Sequence, residues 1–433
     1  MANRTDAERE LLEKAARYMP GASTGNMKVD PEHLFLIKEG RGSKVWDVSG
    51  NEYIDYLMGS GPMVLGHAHP SVVAAVKEAV EQGSTFFATN ERAVLLAEEI
   101  AKAVPSADKV RFTTSGTDAD FQAMRIARAF RKRDVVLKFE GGYHGTSDYA
   151  VMNVTPSASS LKEFPTPAPN TAGVPKAILD TMLIAPYNDI ETAAAIIEQN
   201  HDDLAAVILE PMQRVIAPKP GFLQGLRDVT SHFEIPLIFD EVVTGFRLAY
   251  GGAQEYYGVQ PDLTTMGKIV GGGYPLGAVA GREELMAVLD PQRADSDSFV
   301  SQVGTLNANP VACAAGLATL NELRKPGIYD RLHAIGRQIR DAIERVCREA
   351  EVPMQPSGED AIFGFYFTDE PIENYRSTLK ADAEKMARFN ILLLDKGVLK
   401  NWPDKFYPSL AHSSEDIDTT TQAFAKVIDQ IKG

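Results

Sequence analysis

The sequence predicts an α/β fold built on a mainly parallel sheet flanked by helices, with a smaller α+β region towards the C-terminal end. Three observations carry that expectation. From residue 109 to 281, apolar runs of strand length alternate with helix-length amphipathic stretches, the pattern of successive β-α units whose strands run parallel. Several of those runs end in small, hydroxyl-bearing or charged residues, which gathers chemistry at the strand C-terminal edge. From about residue 310 the pattern changes to long helices around an aromatic strand.

Taken in order, residues 6–19 place Leu11, Leu12, Ala15, Ala16 and Tyr18 near helical spacing and stop at Pro20-Gly21. Lys44 to Val48 and Tyr53 to Leu57 flank a Ser49-Gly50-Asn51 turn and read as a hairpin. His67-Ala68-His69-Pro70 opens a helix to about Gln82. Two histidines two residues apart invite a metal reading, but no cysteine or acid cluster accompanies them, so a structural role is favoured. Glu91 to Val104 is a further amphipathic helix. Lys109 to Phe112 is a strand leading through Ser115-Gly116-Thr117 into a helix; that turn reads either as an N-cap or as a phosphate cradle at a helix N-terminus. The strand Val135–Phe139 delivers Gly141-Gly142-Tyr143-His144-Gly145, where an aromatic can stack on a flat ring and glycines make room for it. Residues 153–176 are rich in Pro, Ser, Thr and Ala and read as a functional lid or a disordered surface loop, with the lid favoured. Ala205 to Leu209 is a buried strand ending at Glu210-Pro211, Phe222 to Phe233 a helix, and Pro236 to Phe239 a strand ending at Asp240. Gly277 to Gly281 is a short strand. Beyond it come a helix to Leu323, another over 329–349, a strand Phe363–Phe367, and helices over 381–394 and 415–431. The expected division is an N-terminal segment 1–65 packed with the small domain, a large domain 66–308, and a small domain 309–433.

Composition narrows the function. The chain has 433 residues, 44% hydrophobic and 24% charged, which is ordinary for a globular enzyme of more than one domain. A formal net charge of −15 argues against nucleic-acid or anionic-membrane partners. The first residues are charged and no apolar run is long enough for a bilayer, so the expected compartment is the cytoplasm. Cys313 and Cys347 lie in helix-like segments and read as small buried hydrophobes.

The candidate chemistry centres on Lys268, set between an apolar run and Gly271-Gly272-Gly273. Read alone, it is either a solvated loop charge or a desolvated amine able to form a Schiff base. Asp240, 28 residues earlier, ends an apolar strand; a buried carboxylate there needs a cationic partner such as a protonated pyridine nitrogen. Ser115, Tyr143, Glu210, Asp240 and Lys268 all follow strands, and this convergence points to one site. There is no Gly-x-Ser-x-Gly elbow, which disfavours a cofactor-free α/β hydrolase.

With these residues assembled, the chain resembles the class III, fold-type I pyridoxal-phosphate aminotransferases, and within them the glutamate-1-semialdehyde 2,1-aminomutases. The resemblance covers nearly the whole chain. Its carriers are Ser115 to Ala119, Phe139 to Gly145, Asp240-Glu241-Val242-Val243-Thr244-Gly245-Phe246-Arg247, Asp262 to Gly273, and Gly304-Thr305-Leu306. It implies pyridoxal 5′-phosphate as cofactor and no metal. Lys268 would carry the cofactor as a Schiff base and shuttle the proton, and Asp240 would keep the ring nitrogen protonated. Tyr143 and Val242 would cover the two ring faces, with His144 supporting Tyr143. Ser115, Gly116 and Thr117 would bind the phosphate, and Gln213 would lie near the phenolic oxygen. Gly304-Thr305 would reach the phosphate of a neighbouring subunit, so a homodimer with shared sites follows by resemblance.

Departures bear on substrate. The arginine-bearing segment of the aminomutases is replaced by Thr24-Gly25-Asn26-Met27-Lys28, and their tryptophan by Ser60, which leaves more room. The segment Asn401 to Tyr407 does not match their acidic one. Lys28 and Lys405 are either carboxylate contacts or solvated lysines. The expected function is aminotransfer between a primary amine or amino acid, β- and ω-amino compounds included, and a keto acid through pyridoxamine phosphate; intramolecular aminomutase exchange is the alternative. Loss of the lysine or acid would mark a non-catalytic homologue, and both residues are present.

Overall fold

A computed structural model describes residues 4–25 and 31–432. The first strands are β1 (Ile37–Arg41), β2 (Lys44–Asp47) and β3 (Glu52–Tyr56). The hairpin closes as the Ser-Gly-Asn turn predicts, with Asp47 Oδ1 accepting the Asn51 N–H at 2.8 Å. β1 escapes the sequence reading because Ile37-Lys38-Glu39-Gly40-Arg41 is mostly polar and pairs with β2 along only one side, so it needs no buried face.

The central sheet holds β4 (Lys109–Thr113), β5 (Val135–Phe139), β6 (Met182–Ala185), β7 (Leu204–Leu209), β8 (Leu237–Asp240), β9 (Leu263–Met266) and β10 (Gly277–Gly281). Their spatial order is β4-β10-β9-β8-β7-β5-β6. Every neighbouring pair is parallel except those made by β10, which runs against both β4 and β9. β7 is buried at all six positions, the signature of a strand covered on both faces. β6 and the helix Ile190–Asn200 after it are elements the sequence reading passes over; β6 is a four-residue edge strand following a long irregular stretch.

The remaining strands are β11 (Gln355–Glu359), β12 (Ile362–Tyr366), β13 (Val398–Lys400) and β14 (Lys405–Phe406). β13 pairs in parallel with β3, Val398 opposite Ile54, so residues near both ends of the chain share one sheet. The helices Ile328–Glu349, Ala383–Asp395 and Ser414–Ile431 enclose an aromatic core of Phe363, Phe365, Phe389, Phe406 and Phe424. Arg247 ties this region to the rest. Fully buried, it donates to the carbonyls of Gly61, Ala361 (3.0 Å) and Pro408 (3.2 Å), and its guanidinium lies 5.3 Å from the Tyr407 ring centre. Burial lowers its pKa to about 10.

Residues 153–176 are tied down rather than loose. Asn153 Oδ1 accepts the Ala168 N–H, while Tyr375 Oη and Arg376 Nη2 donate to the carbonyls of Pro156 and Lys162. His67 is held by Asp55, Nε2 to Oδ2 2.7 Å, which gives it a structural role. No helix among the described residues is long and apolar enough to cross a membrane.

Candidate active site

The C-terminal ends of β4, β5, β7, β8 and β9 converge, and each contributes a residue. Beyond β4, Ser115 caps the helix Gly116–Arg131: its Oγ accepts the Asp118 N–H at 3.1 Å. The cap reading is therefore correct, and it leaves the phosphate reading intact. The Gly116 and Thr117 N–H groups lie in the first turn, where no intrahelical acceptor exists, and they point along the positive end of a 16-residue helix.

The glycines explain how the loops meet. A Cβ on Gly116 would lie 2.8 Å from both methyls of Val242, and one on Gly267 3.2 Å from Val242 Cγ1. Val242 thus packs at the junction of the phosphate-type turn and the backbone leading into Lys268. Gly145 has φ +86° and abuts Thr117, which joins the β5 loop to the same turn and excludes a side chain there.

Asp240 is the last residue of β8 and only 4% exposed. Its Oδ2 is 2.7 Å from His144 Nδ1 and its Oδ1 accepts the Val242 N–H at 3.0 Å. His144 is thereby corrected: expected to support Tyr143, it is buried against the carboxylate of Asp240 instead, with Nε2 lacking a protein partner. Behind Asp240 stands Asp120, which the sequence reading missed. It is 2% exposed, accepts a hydrogen bond from Thr265 Oγ1 at 2.5 Å, and shares a hydrogen bond with Asp240. Burial, then the Asp240 charge, raises the Asp120 pKa well above 3.8, favouring its protonated form. Asp120, His144 and Asp240 have donor atoms within 4.8 Å of one another, a metal-like spacing, but the Thr265 and His144 hydrogen bonds already engage both acids.

Lys268 follows β9 with φ +50°, a left-handed conformation uncommon for a residue with a Cβ. It is half-buried, and its Nζ makes no hydrogen bond to the described residues. The contrast with Lys138 on β5 is informative. Lys138 is fully buried and donates to the carbonyls of Gly142 (3.0 Å), Ala150 (3.0 Å) and Met152, so all three of its protons are committed. Burial lowers its pKa to about 7, yet it is a structural lysine under the Gly141–Gly145 loop.

Tyr143 is 42% exposed; its N–H donates to Glu210 Oε2 at 3.0 Å, and Arg214 lies over its ring. Gln213 donates Nε2 to the Glu140 carbonyl at 2.8 Å and leaves Oε1 buried without a protein partner. Ser60 receives a hydrogen bond from Asn401 and contacts Tyr407, a fully buried phenol on which the Lys268 charge also acts. Burial raises the Tyr407 pKa. Lys28 lies outside the described residues. Lys405 is buried. Gly304 lines a groove of about 1240 Å³ together with Phe87, Val94 and Asn307. Lys268 is not among the residues that line it.

A parallel sheet whose strand ends bring a buried acid, a lysine with an uncommitted amine and a bare helix N-terminus to one place defines a fold-type I pyridoxal-phosphate enzyme. The chain belongs to the class III aminotransferases: the family model for "Aminotransferase class-III" matches residues 25–428. Glutamate-1-semialdehyde 2,1-aminomutase 2 of Brevibacillus brevis is 40% identical over 423 residues, covering 96% of each chain. An omega-transaminase from Sphaerobacter thermophilus superposes with a TM-score of 0.92 at 36% identity, over 99% of this chain and 98% of that one. A beta-phenylalanine aminotransferase from Variovorax paradoxus gives 0.87 at 31%, over 98% and 94%. Pyridoxal phosphate is the cofactor of this enzyme class, and the unpartnered buried polar atoms, the glycine cradle and the Asp240 carboxylate fit it.

Proposed function

We propose that the protein is an intermolecular aminotransferase that moves an amino group from a primary amine or amino acid, β- or ω-amino compounds included, to a keto acid. The observation that carries this is the pairing of a complete cofactor wall, Lys268 and Asp240 with its hydrogen-bonded support, with a substrate wall opened at Ser60. When bound, pyridoxal phosphate supplies an electrophilic carbonyl carbon and an electron-accepting ring that can hold an amino group between two half-reactions.

The chain's own residues do the rest. Asp240, oriented by His144 Nδ1 and the Val242 N–H and backed by Asp120, whose pKa is raised, would hold a proton on the ring nitrogen. The Gly116 and Thr117 N–H groups, with the Ser115 and Thr117 hydroxyls, hold the phosphate. Tyr143 and Val242 cover the two ring faces, and Gln213 faces the phenolic oxygen. Lys268 Nζ would take the proton from the substrate carbon and return it to the cofactor's C4′ carbon. We further propose a homodimer: Phe86, Phe87, Val94, Leu95, Val303 and Leu306 are all exposed apolar side chains, several of them on the 1240 Å³ groove beside Gly304, from which Gly304-Thr305 would meet a partner's phosphate.

The second reading, aminomutase exchange within one substrate, is favoured by the 40% identity to the Brevibacillus protein. Half-reactions separate the two. Single amines are added to holoenzyme without keto acid while the cofactor absorbance is followed. Loss of the resting band, restored by a keto acid, is expected for an aminotransferase. Response to a semialdehyde-type diamino acid alone, with turnover of the semialdehyde in the absence of an acceptor, would overturn that reading in favour of the aminomutase.

A further inference from the structure

Resting on the aminotransferase reading, we infer that Arg214 and Lys405 form the subsite that holds the carboxylate of the substrate, so the preferred amines and acceptors are carboxylates. Arg214 sits in a tight turn closed by the Ile216 N–H donating to Gln213 O at 2.8 Å, with φ +60°, a conformation that costs energy in a residue with a Cβ. That turn fixes where the side chain goes. Its Nε donates to the Gly141 carbonyl at 3.2 Å, and its guanidinium carbon lies 5.2 Å from the centre of the Tyr143 ring, the ring read above as a cofactor face. No carboxylate forms an ion pair with Arg214 among the described residues. Glu210, one turn away, is engaged by the Tyr143 N–H.

Lys405 comes from the other side. β14 places it opposite Gly364 on β12, and a Cβ on Gly364 would lie 3.1 Å from Val215 Cγ2, so the lysine's strand packs beside the residue that follows Arg214. Lys405 is 8% exposed, and its Nζ has no hydrogen bond to the described residues. Its acidic neighbour, Asp404, is engaged by the Tyr366 phenol at 2.7 Å. Glu210 and Asp404 act on Lys405, but among the described residues no carboxylate forms an ion pair with Arg214 or Lys405, an arrangement that a bound carboxylate would complete. Tyr407, two residues beyond Lys405, feels the charges of both Lys268 and Arg214. Burial, with the Arg214 charge, already lowers the Lys405 pKa to about 8.

The test compares R214L, R214K and K405M with the parent holoenzyme. Half-reaction kcat/KM is measured for 3-aminobutanoate and for 2-aminobutane, its carboxylate-free counterpart, and butanoate is titrated into each holoenzyme by calorimetry. The ratio of the two kcat/KM values is expected to fall about 100-fold in R214L and about 10-fold in K405M, with butanoate binding weakened in parallel. R214K should recover part of the loss, since an ammonium supplies charge without a two-pronged fork. A ratio within twofold of the parent in both R214L and K405M, with unaltered butanoate affinity, would overturn the assignment. If no external amine reacts, the aminotransferase reading fails, and the butanoate titration still decides the subsite.

Discussion

Replacing Asp120 by asparagine tests the electrostatics behind the ring-nitrogen site, because the two side chains have the same shape and only the acid can ionise. The Asp120 carboxyl, its pKa raised by burial and by the Asp240 charge, is pressed against Asp240 and accepts from Thr265. Asparagine keeps an acceptor for Thr265 and a donor for Asp240, so at about pH 4, near the unfolded value, D120N should lie within about 1 kcal/mol of the parent. The difference should then change with pH, and the sign follows from proton binding. A carboxyl whose folded pKa is raised binds a proton more readily folded than unfolded, so its contribution is fully present below 3.8 and is lost as pH rises through the raised folded value. Within that window the parent loses about 1.4 kcal/mol per pH unit from this one group, and D120N does not. Equilibrium urea unfolding of both proteins without cofactor, from pH 4 to pH 7, gives the difference directly. D120N should gain on the parent steadily as pH rises. A difference that stays flat across those pH values would refute a raised Asp120 pKa and, with it, the hydrogen-bonded support assigned to Asp240.

Two further substitutions address other parts of the account. Lys268→Ala should lower turnover by at least about 1000-fold while leaving the circular dichroism spectrum and unfolding midpoint close to the parent, since Nζ makes no hydrogen bond to the described residues; substantial residual transamination would remove Lys268 from its role. Arg247→Met should destabilise the protein by about 3–5 kcal/mol, because three buried carbonyls lose their donor together, and a cost below about 1 kcal/mol in urea unfolding would contradict the anchoring role.

Much of the fold and the core of the site could be read from sequence because their signals are local. Strand-length apolar runs followed by glycine, hydroxyl or charge mark Ser115, Tyr143, Asp240 and Lys268, and each stands at a strand end. The edge strand β1 lacks such a signal, since a half-paired strand needs little apolar character, while β6, though apolar, is only four residues long and follows an irregular stretch. Asp120 was legible in principle: it is in phase with Ala123, Met124 and Ala127, an acid on the buried face of its helix. What could not be read is that β8 and β9 would bring Asp240 and Thr265 against it, a contact spanning well over a hundred residues. Lys138 has the same origin, a charge inside a buried strand whose carbonyl partners are set by the course of the following loop. Arg214 sits in a turn without periodicity, and its importance emerges only when Tyr143 and the β12–β14 hairpin arrive from elsewhere. The role of His144 was misjudged because adjacency to Tyr143 suggested a shared task, whereas consecutive residues beyond a strand point in different directions.

The most direct test of the central claim is to find which lysine holds the cofactor. Holoenzyme is reduced with borohydride, digested, and mapped by mass spectrometry. The reduced pyridoxyl adduct is expected on the peptide containing Lys268 and on no other. Four lysines compete on burial alone, Lys138, Lys400 and Lys405 besides Lys268, and Lys138 and Lys400 are already committed to carbonyl oxygens. An adduct on any of those three, or none at all, would contradict the site as assembled here.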